Sequence, residues 1–267
     1  VERVVAQHFG LVPEAVLLTN GVDEALHLIC ETYLEPQDEV IVVTPTFSMY
    51  ALYAEMTGAR VRAVQAVSSL QFPYRQVQQA IGPATRLIMI ASPNNPTGAV
   101  VDSSLLLELA ASTPQAALMV DEAYYHFHGE SVLSATATVP NLLVARTFSK
   151  AYGLAGLRIG LLAGHPDAMR YVRKVSSPYN VNSIALECLP EALADEAYIS
   201  WYAEQVRQGR ALAEQTLTRL KVPYWPSHAN FILMNIGSKH KALVDAMRRQ
   251  GVLVRDRSSD PGCDGCV

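Results

Sequence analysis

Charge is what this sequence has least of. Of its 267 residues only 17% are Asp, Glu, Lys or Arg, and 21 basic against 25 acidic groups leave a formal net charge of -4. That balance excludes nonspecific binding to nucleic acid or to an anionic membrane, both of which draw on a one-sided excess of Lys and Arg. Cysteine is scarce as well: four residues are too few for a disulfide scaffold at this length. Cys30 and Cys188 fall in apolar helical patterns that predict buried thiols. Cys263 and Cys266 form a lone Cys-x-x-C without the second pair or βαβ setting that a zinc or redox site needs, so no metal is expected. No apolar run reaches the roughly 20 residues of a membrane span, and no secretory signal opens the chain. The expected location is the cytoplasm.

What remains is half hydrophobic, with 15 Gly and 15 Pro spread outside any low-complexity tract. A chain this long removes about three quarters of its unfolded surface from water, enough for a large core. Short runs rich in Val, Ile and Leu recur at Glu39–Thr44, Thr85–Ala91, Ala116–Val120, Asn141–Ala145 and Leu157–Gly164. They show little polar alternation, as strands of a mainly parallel sheet covered on both faces do. Helical patterns separate most of them, at Val22–Leu34, Phe47–Thr57 and Ser103–Ser112. The alternation predicts an α/β, doubly wound core, with one antiparallel strand where the spacing shortens after Ala145. Beyond about residue 180 the texture changes to a long helix (Asp195–Leu220), short strands near Asn230–Ile236 and Val252–Arg255, and a helix at Lys239–Gln250. The expectation is a larger domain at 1–180 and a smaller α+β domain at 181–267.

Ligands of open α/β sheets bind beyond the carboxyl ends of the strands, and three such ends carry unusual residues. Ser92-Pro-Asn-Asn-Pro-Thr-Gly98 is a tight loop with Asn95 at its centre. The next strand ends in Asp121-Glu122, followed by Tyr124. An acidic strand end also suits a P-loop ATPase, but the chain contains no Gly-Lys and so no phosphate loop of that kind. An amino-methyltransferase is set aside because no Gly-x-Gly loop follows the first strand. The third end carries Lys150, one of only five lysines; Lys174, Lys221, Lys239 and Lys241 read as solvated surface. Thr147, Ser149 and Arg158 beside Lys150 suit a phosphate. A partly desolvated amine can form a Schiff base with an aldehyde. Phosphate and aldehyde on one molecule is pyridoxal 5'-phosphate.

Asn95-Pro96-Thr97-Gly98, Asp121-Glu122-Ala123-Tyr124 and Ser149-Lys150 with Arg158 resemble the signature blocks of fold-type I, class I/II pyridoxal-phosphate-dependent aminotransferases. The segments Arg146–Arg158, Pro45–Tyr50 and Ser227–Phe231 are most similar to the histidinol-phosphate branch. The resemblance implies a mainly parallel sheet sandwiched by helices, a homodimer, and as substrates a small-molecule amino donor and a 2-oxo acid, first histidinol phosphate with 2-oxoglutarate. It implies that Lys150 holds the cofactor and moves the proton, that Asp121 pairs with the ring nitrogen, and that Asn95 and Tyr124 hydrogen-bond the phenolic oxygen. Phe47 would stack on the ring. Thr147, Ser149 and Arg158, with the helix-opening turn Gly21, Val22 and Asp23, would cradle the phosphate. Asn95 and Arg255 would meet the substrate, Arg255 being equally readable as a charged strand end.

Tyr50 is read chiefly as core packing. His126 and His128 are read as loop residues, and His228 as either pocket lining or turn. The family's arginine for the substrate carboxylate is expected just past Val267, and its N-terminal arm has no clear match, so the sequence reads as an incomplete version of a longer chain. Aromatic amino-acid aminotransferases and threonine-phosphate decarboxylases share nearly all the cofactor residues and stay open as alternatives. So does a non-catalytic pyridoxal-phosphate-binding regulatory module, although Val1–Gly10 shows no basic DNA-binding segment.

Overall fold

A computed structural model describes residues 1–67 and 69–267. Its elements run α1 (Glu2–His8), β1 (Val16–Thr19), α2 (Gly21–Tyr33), β2 (Glu39–Thr44), α3 (Met49–Met56), β3 (Arg60–Gln65), α4 (Tyr74–Ala80), β4 (Thr85–Ala91) and α5 (Ser103–Ser112). Then follow β5 (Ala117–Asp121), α6 (Tyr125–His128), β6 (Leu142–Thr147), β7 (Gly160–Gly164), α7 (Pro166–Val175), α8 (Ser183–Ala194), α9 (Glu196–Arg219), β8 (Tyr224–Trp225), β9 (Leu233–Met234) and α10 (His240–Arg249).

Strands β1–β7 form one sheet in the order β1-β7-β6-β5-β4-β2-β3. The pairs among β6, β5, β4, β2 and β3 are parallel, and β7 runs antiparallel to both its neighbours. This is the α/β architecture expected, including its single reversed strand. Burial explains the lack of polar alternation. In β4, Leu87, Met89 and Ala91 enter one core, packed with α2, α3 and α7, while Ile88 and Ile90 enter the opposite core with α4 and α5. Each fully buried side chain of this kind contributes about 1.5–3 kcal/mol. Asp102 starts α5 by accepting the Ser104 backbone N–H at 2.8 Å, leaving Leu106, Leu109 and Ala110 to face the sheet.

Two strands have weak signatures in the sequence. β1 is only four residues long, and β3 is a mostly exposed edge carrying Arg60 and Arg62, charges that discourage edge-to-edge pairing. Two expectations need correcting. Cys30 is buried, but Cys188 is exposed, because the buried stripe of α8 is Ala185, Leu189 and Leu193, and Cys188 lies off it. Val252–Arg255 forms no strand: it finds no ladder partner, and Leu253 is 79% exposed. The cysteine pair, Cys263 and Cys266, is buried and free, and no group of three metal-ligating side chains occurs among the described residues.

Past α8 the packing thins. α9 is 24 residues long, about 36 Å at about 1.5 Å per residue, and buries only Ala203. It contacts α6, and a small cluster joins Tyr124, Phe127 and Ala151 to Ala203 and Ala229. No helix among the described residues is long and apolar enough to cross a membrane.

Candidate active site

The register of the sheet assembles the site. Ala91 pairs with Asp121, Asp121 with Ala145, Thr147 with Gly160, and Gly160 with Thr19. The carboxyl ends of β1, β4, β5 and β6, and the start of the reversed β7, therefore lie along one edge. Around an open hollow of about 670 Å³ at that edge stand Val22, Asp23, Phe47, Tyr50, Asn95, Asp121, Tyr124, Thr147, Ser149, Lys150 and Arg158. Apart from Tyr50, every one was a candidate from the sequence. Gly21 adjoins them: its φ is +76°, and a Cβ there would lie 2.8 Å from an Arg158 guanidinium nitrogen, so glycine gives the arginine room to pass.

Asp121 is the centre of the electrostatics. Its Oδ2 accepts the Tyr50 hydroxyl at 2.7 Å, and its Oδ1 accepts the Ala123 backbone N–H at 2.9 Å. Burial pushes its pKa up to about 6, while those two hydrogen bonds pull the other way. No cation pairs with it among the described residues, so a buried carboxylate faces the hollow awaiting a positive partner. The Tyr124 phenol is also pushed up to about 12, first by burial and then by Asp121, and so remains a donor. Lys150, half-buried, places Nζ 5.5 Å from the centre of the Tyr124 ring.

The loop after β4 is tied by Asn94, not by Asn95. Asn94 donates to Pro45 O at 2.9 Å and to Thr97 Oγ1 at 3.0 Å, and its Oδ1 accepts the Thr46 hydroxyl at 2.6 Å. Gly98, with φ +69°, packs so closely on Ser227 that any Cβ would collide with it. Asn95 thus lines the hollow from a loop anchored on both sides. At the anion end, Arg158 donates to Asp23 Oδ2 at 3.0 Å, Thr147 Oγ1 accepts the Ser149 N–H at 3.1 Å, and the Ser149 hydroxyl is buried with no partner among the described residues. These groups sit beside the N-terminus of the 13-residue α2, whose free N–H groups favour an anion.

Behind the hollow is an ion pair that sequence reasoning did not find. Glu122 Oε2 accepts Arg146 Nε at 2.9 Å and Nη2 at 2.8 Å, while its Oε1 accepts Val132 N–H at 2.7 Å. Arg146 also lies 3.5 Å from the centre of the Tyr125 ring. Glu122 follows Asp121 and Arg146 precedes Thr147, so the pair clasps β5 and β6 one residue from the site. Apolar runs ending in an opposite charge on neighbouring strands were the available signal. Tyr50, read from the sequence chiefly as core, lies near the start of α3 three residues past Phe47, and their rings meet edge to face at 5.7 Å. Arg255 stands apart, in an adjoining hollow that shares Asn95 and Tyr124 and adds Phe231 and Arg257. The backbone N–H of His228 donates to Gly98 O at 2.9 Å, which holds the turn.

Fold and site together fit the class of enzymes that anchor a phosphorylated aldehyde cofactor through a lysine. Pyridoxal 5'-phosphate fits these residues: Asp121 offers a buried negative charge, Lys150 an amine, and Ser149 an unpaired hydroxyl next to a cationic and helix-terminal anion cradle. The family model for aminotransferase class I and II matches residues 1–267, and the chain belongs to that family of pyridoxal-phosphate-dependent enzymes. It is 34% identical over 260 residues to the histidinol-phosphate aminotransferase of Moorella thermoacetica, covering 95% of this chain and 67% of the relative. It is 36% identical over 255 residues to that of Symbiobacterium thermophilum, covering 94% and 70%. The solved histidinol-phosphate aminotransferase of Sinorhizobium meliloti in complex with pyridoxal-5'-phosphate shares the fold, with TM-score 0.88 at 24% identity over 99% of this chain and 74% of that one. The substrates of the reaction are accordingly an amino donor and a 2-oxo acid.

Proposed function

We propose that the chain catalyses amino transfer between histidinol phosphate and 2-oxoglutarate, in the cytoplasm and as a homodimer, with residues 1–180 as the cofactor-holding large domain and 181–267 as the small domain. The observation that carries this reading is the 34% identity to a histidinol-phosphate aminotransferase across 95% of the chain.

When bound, pyridoxal 5'-phosphate supplies an aldehyde for the amino group and a ring that takes up electrons. Lys150 Nζ is the amine that would hold the aldehyde and then carry the transferred proton. Asp121 would keep the ring nitrogen protonated, since a buried carboxylate gains most from a buried positive partner. Asn95 and the Tyr124 hydroxyl would orient the phenolic oxygen, and Phe47 would cover one ring face. The phosphate would take the free Ser149 hydroxyl, Thr147, the remaining N–H groups of Arg158, and backbone N–H groups at Gly21, Val22 and Asp23. Arg255, reaching the second hollow beside Asn95, would meet an anionic end of the substrate.

Half-reaction rates with histidinol phosphate, phenylalanine and threonine phosphate test the reading. The expected result is the highest kcat/KM with histidinol phosphate. A faster reaction with phenylalanine, or carbon dioxide released from threonine phosphate, would replace it with one of those activities. Cofactor binding without reaction on any amino donor would make the chain a regulatory module.

A further inference from the structure

Tyr50 lines the hollow, yet the reaction as described gives it no task, although it is fully buried and, among the described residues, its only side-chain hydrogen bond goes to Asp121. A phenol sequestered in an apolar core, among Leu26, Met89 and Ala145, would lose its hydroxyl without loss of packing if packing were all it did. Burying that hydroxyl is favourable only because it is paired. We propose that Tyr50 is a positioning residue that acts through Asp121: by donating to Oδ2, it aims the carboxylate into the hollow and holds it in the ionised form. The proposal rests on the reading that Asp121 serves the ring nitrogen.

The geometry makes the phenol a one-way donor. Burial and the neighbouring carboxylate hold its own pKa well above the ordinary tyrosine value, so it keeps its proton throughout the working range. Its hydrogen bond is the larger of the two that oppose the effect of burial on Asp121, the other being the Ala123 N–H. The remaining titratable groups around Asp121 cannot replace it. Glu122, next in the chain, and Asp23, on α2, are acidic and favour the protonated carboxyl. Tyr124, Lys150 and Arg158 line the hollow but make no hydrogen bond to Asp121. The same ring meets Phe47 edge to face, so one side chain of α3 seats both a ring-covering residue and the carboxylate beneath.

The test is Tyr50→Phe, which keeps the ring and its contact with Phe47 and deletes only the donor, with Tyr50→His as a partner variant that restores one. In cofactor-free protein the ionisation of Asp121 is followed by carbon-13 NMR of labelled aspartate. Its midpoint is expected to rise by roughly one pH unit or more in Tyr50→Phe and to fall back in Tyr50→His. An unchanged midpoint in folded Tyr50→Phe would overturn the proposal, and so would a rise that Tyr50→His leaves in place. In loaded enzyme, kcat of Tyr50→Phe is expected to drop about tenfold or more at neutral pH with KM nearly constant, because a transition-state term is lost. Equal kcat would overturn it. Asp121→Asn separates the two levels: if that variant keeps full turnover, the role given to Asp121 fails, whereas the NMR result in cofactor-free protein still decides whether Tyr50 governs the carboxylate. Should Tyr50→Phe fail to fold, Tyr50→His alone decides, an Asp121 midpoint near that of the parent supporting the proposal and one raised by a unit overturning it.

Discussion

The edge of the seven-stranded sheet and the chain beyond residue 195 hold their functional groups in opposite ways. At the sheet edge Asp121, Glu122 and Arg146 are all buried, and each ionic group has fixed partners supplied by a neighbouring strand or helix. Beyond residue 195, α9 buries one residue and α10 none, and Trp201, Leu212 and Leu253 stand in solvent. Buried charge is tolerated only where geometry is over-determined, and a parallel ladder covered on both faces provides that. The residues proposed to hold the cofactor belong to the first of these regions. The candidate substrate arginine, Arg255, sits in the loosely held one, where no ladder fixes its backbone.

The sharpest way to break this contrast is at Lys150. Lys150→Ala is expected to lower turnover by about 10²–10⁴-fold or more while the fold survives, and borohydride reduction should no longer attach cofactor to the protein. A variant within tenfold of the parent would remove the lysine from the chemistry. Next are two ion pairs of similar length. Glu122→Ala strands the buried Arg146 and is expected to cost about 3–5 kcal/mol in denaturant unfolding. Glu204→Ala breaks the exposed 2.9 Å contact with Arg207 on α9 and should change stability immeasurably. Equal costs would refute the claim that the two regions differ in rigidity.

A smaller effect lies in pH. Asp121 titrates near 6 in the folded chain against an ordinary value of 3.8. Because the folded value is the higher one, its contribution to stability is full below about pH 4 and is lost as pH rises through about 6. For cofactor-free protein the loss is about 3 kcal/mol, two units at about 1.4 kcal/mol each. Saturating cofactor should abolish it by giving the carboxylate a cation. Thermal unfolding across pH 4–7, with and without cofactor, checks the sign; stability that rises through this window in the cofactor-free chain would contradict it. Smallest of all, Leu253→Ser should stay within about 0.5 kcal/mol of the parent, as an exposed side chain does. A larger loss in the isolated chain would mean that this stretch packs more firmly than its exposure indicates.

Much of the site was legible because the sequence places its chemistry at strand ends. Lys150, Asp121 and Asn95 each follow an apolar run, and a run without polar alternation announces a strand buried on both faces. The lone Lys150 in an apolar context, among lysines otherwise on the surface, pointed to reactive use. Partners contributed from elsewhere in the chain were harder to read. Tyr50 looked like core because it is core; what distinguishes it is the carboxylate 71 positions away that its hydroxyl meets. The Glu122–Arg146 clasp was hidden for the same reason. Cys188 and Val252–Arg255 were misjudged because local pattern does not say which stripe of a helix faces inward or whether a strand has a neighbour.

By itself the sequence determined the α/β alternation, the reversed strand and the residue types proposed to serve one cofactor, since periodicity and local motifs are set by covalent order. Only the tertiary structure decided the strand order that brings those ends to one edge, the pairing of Tyr50 with Asp121 and of Glu122 with Arg146, and the separation of Arg255 into its own hollow. Those depend on contacts between residues far apart in the chain, whose energies are settled by burial and register once the whole sheet is closed between its helices.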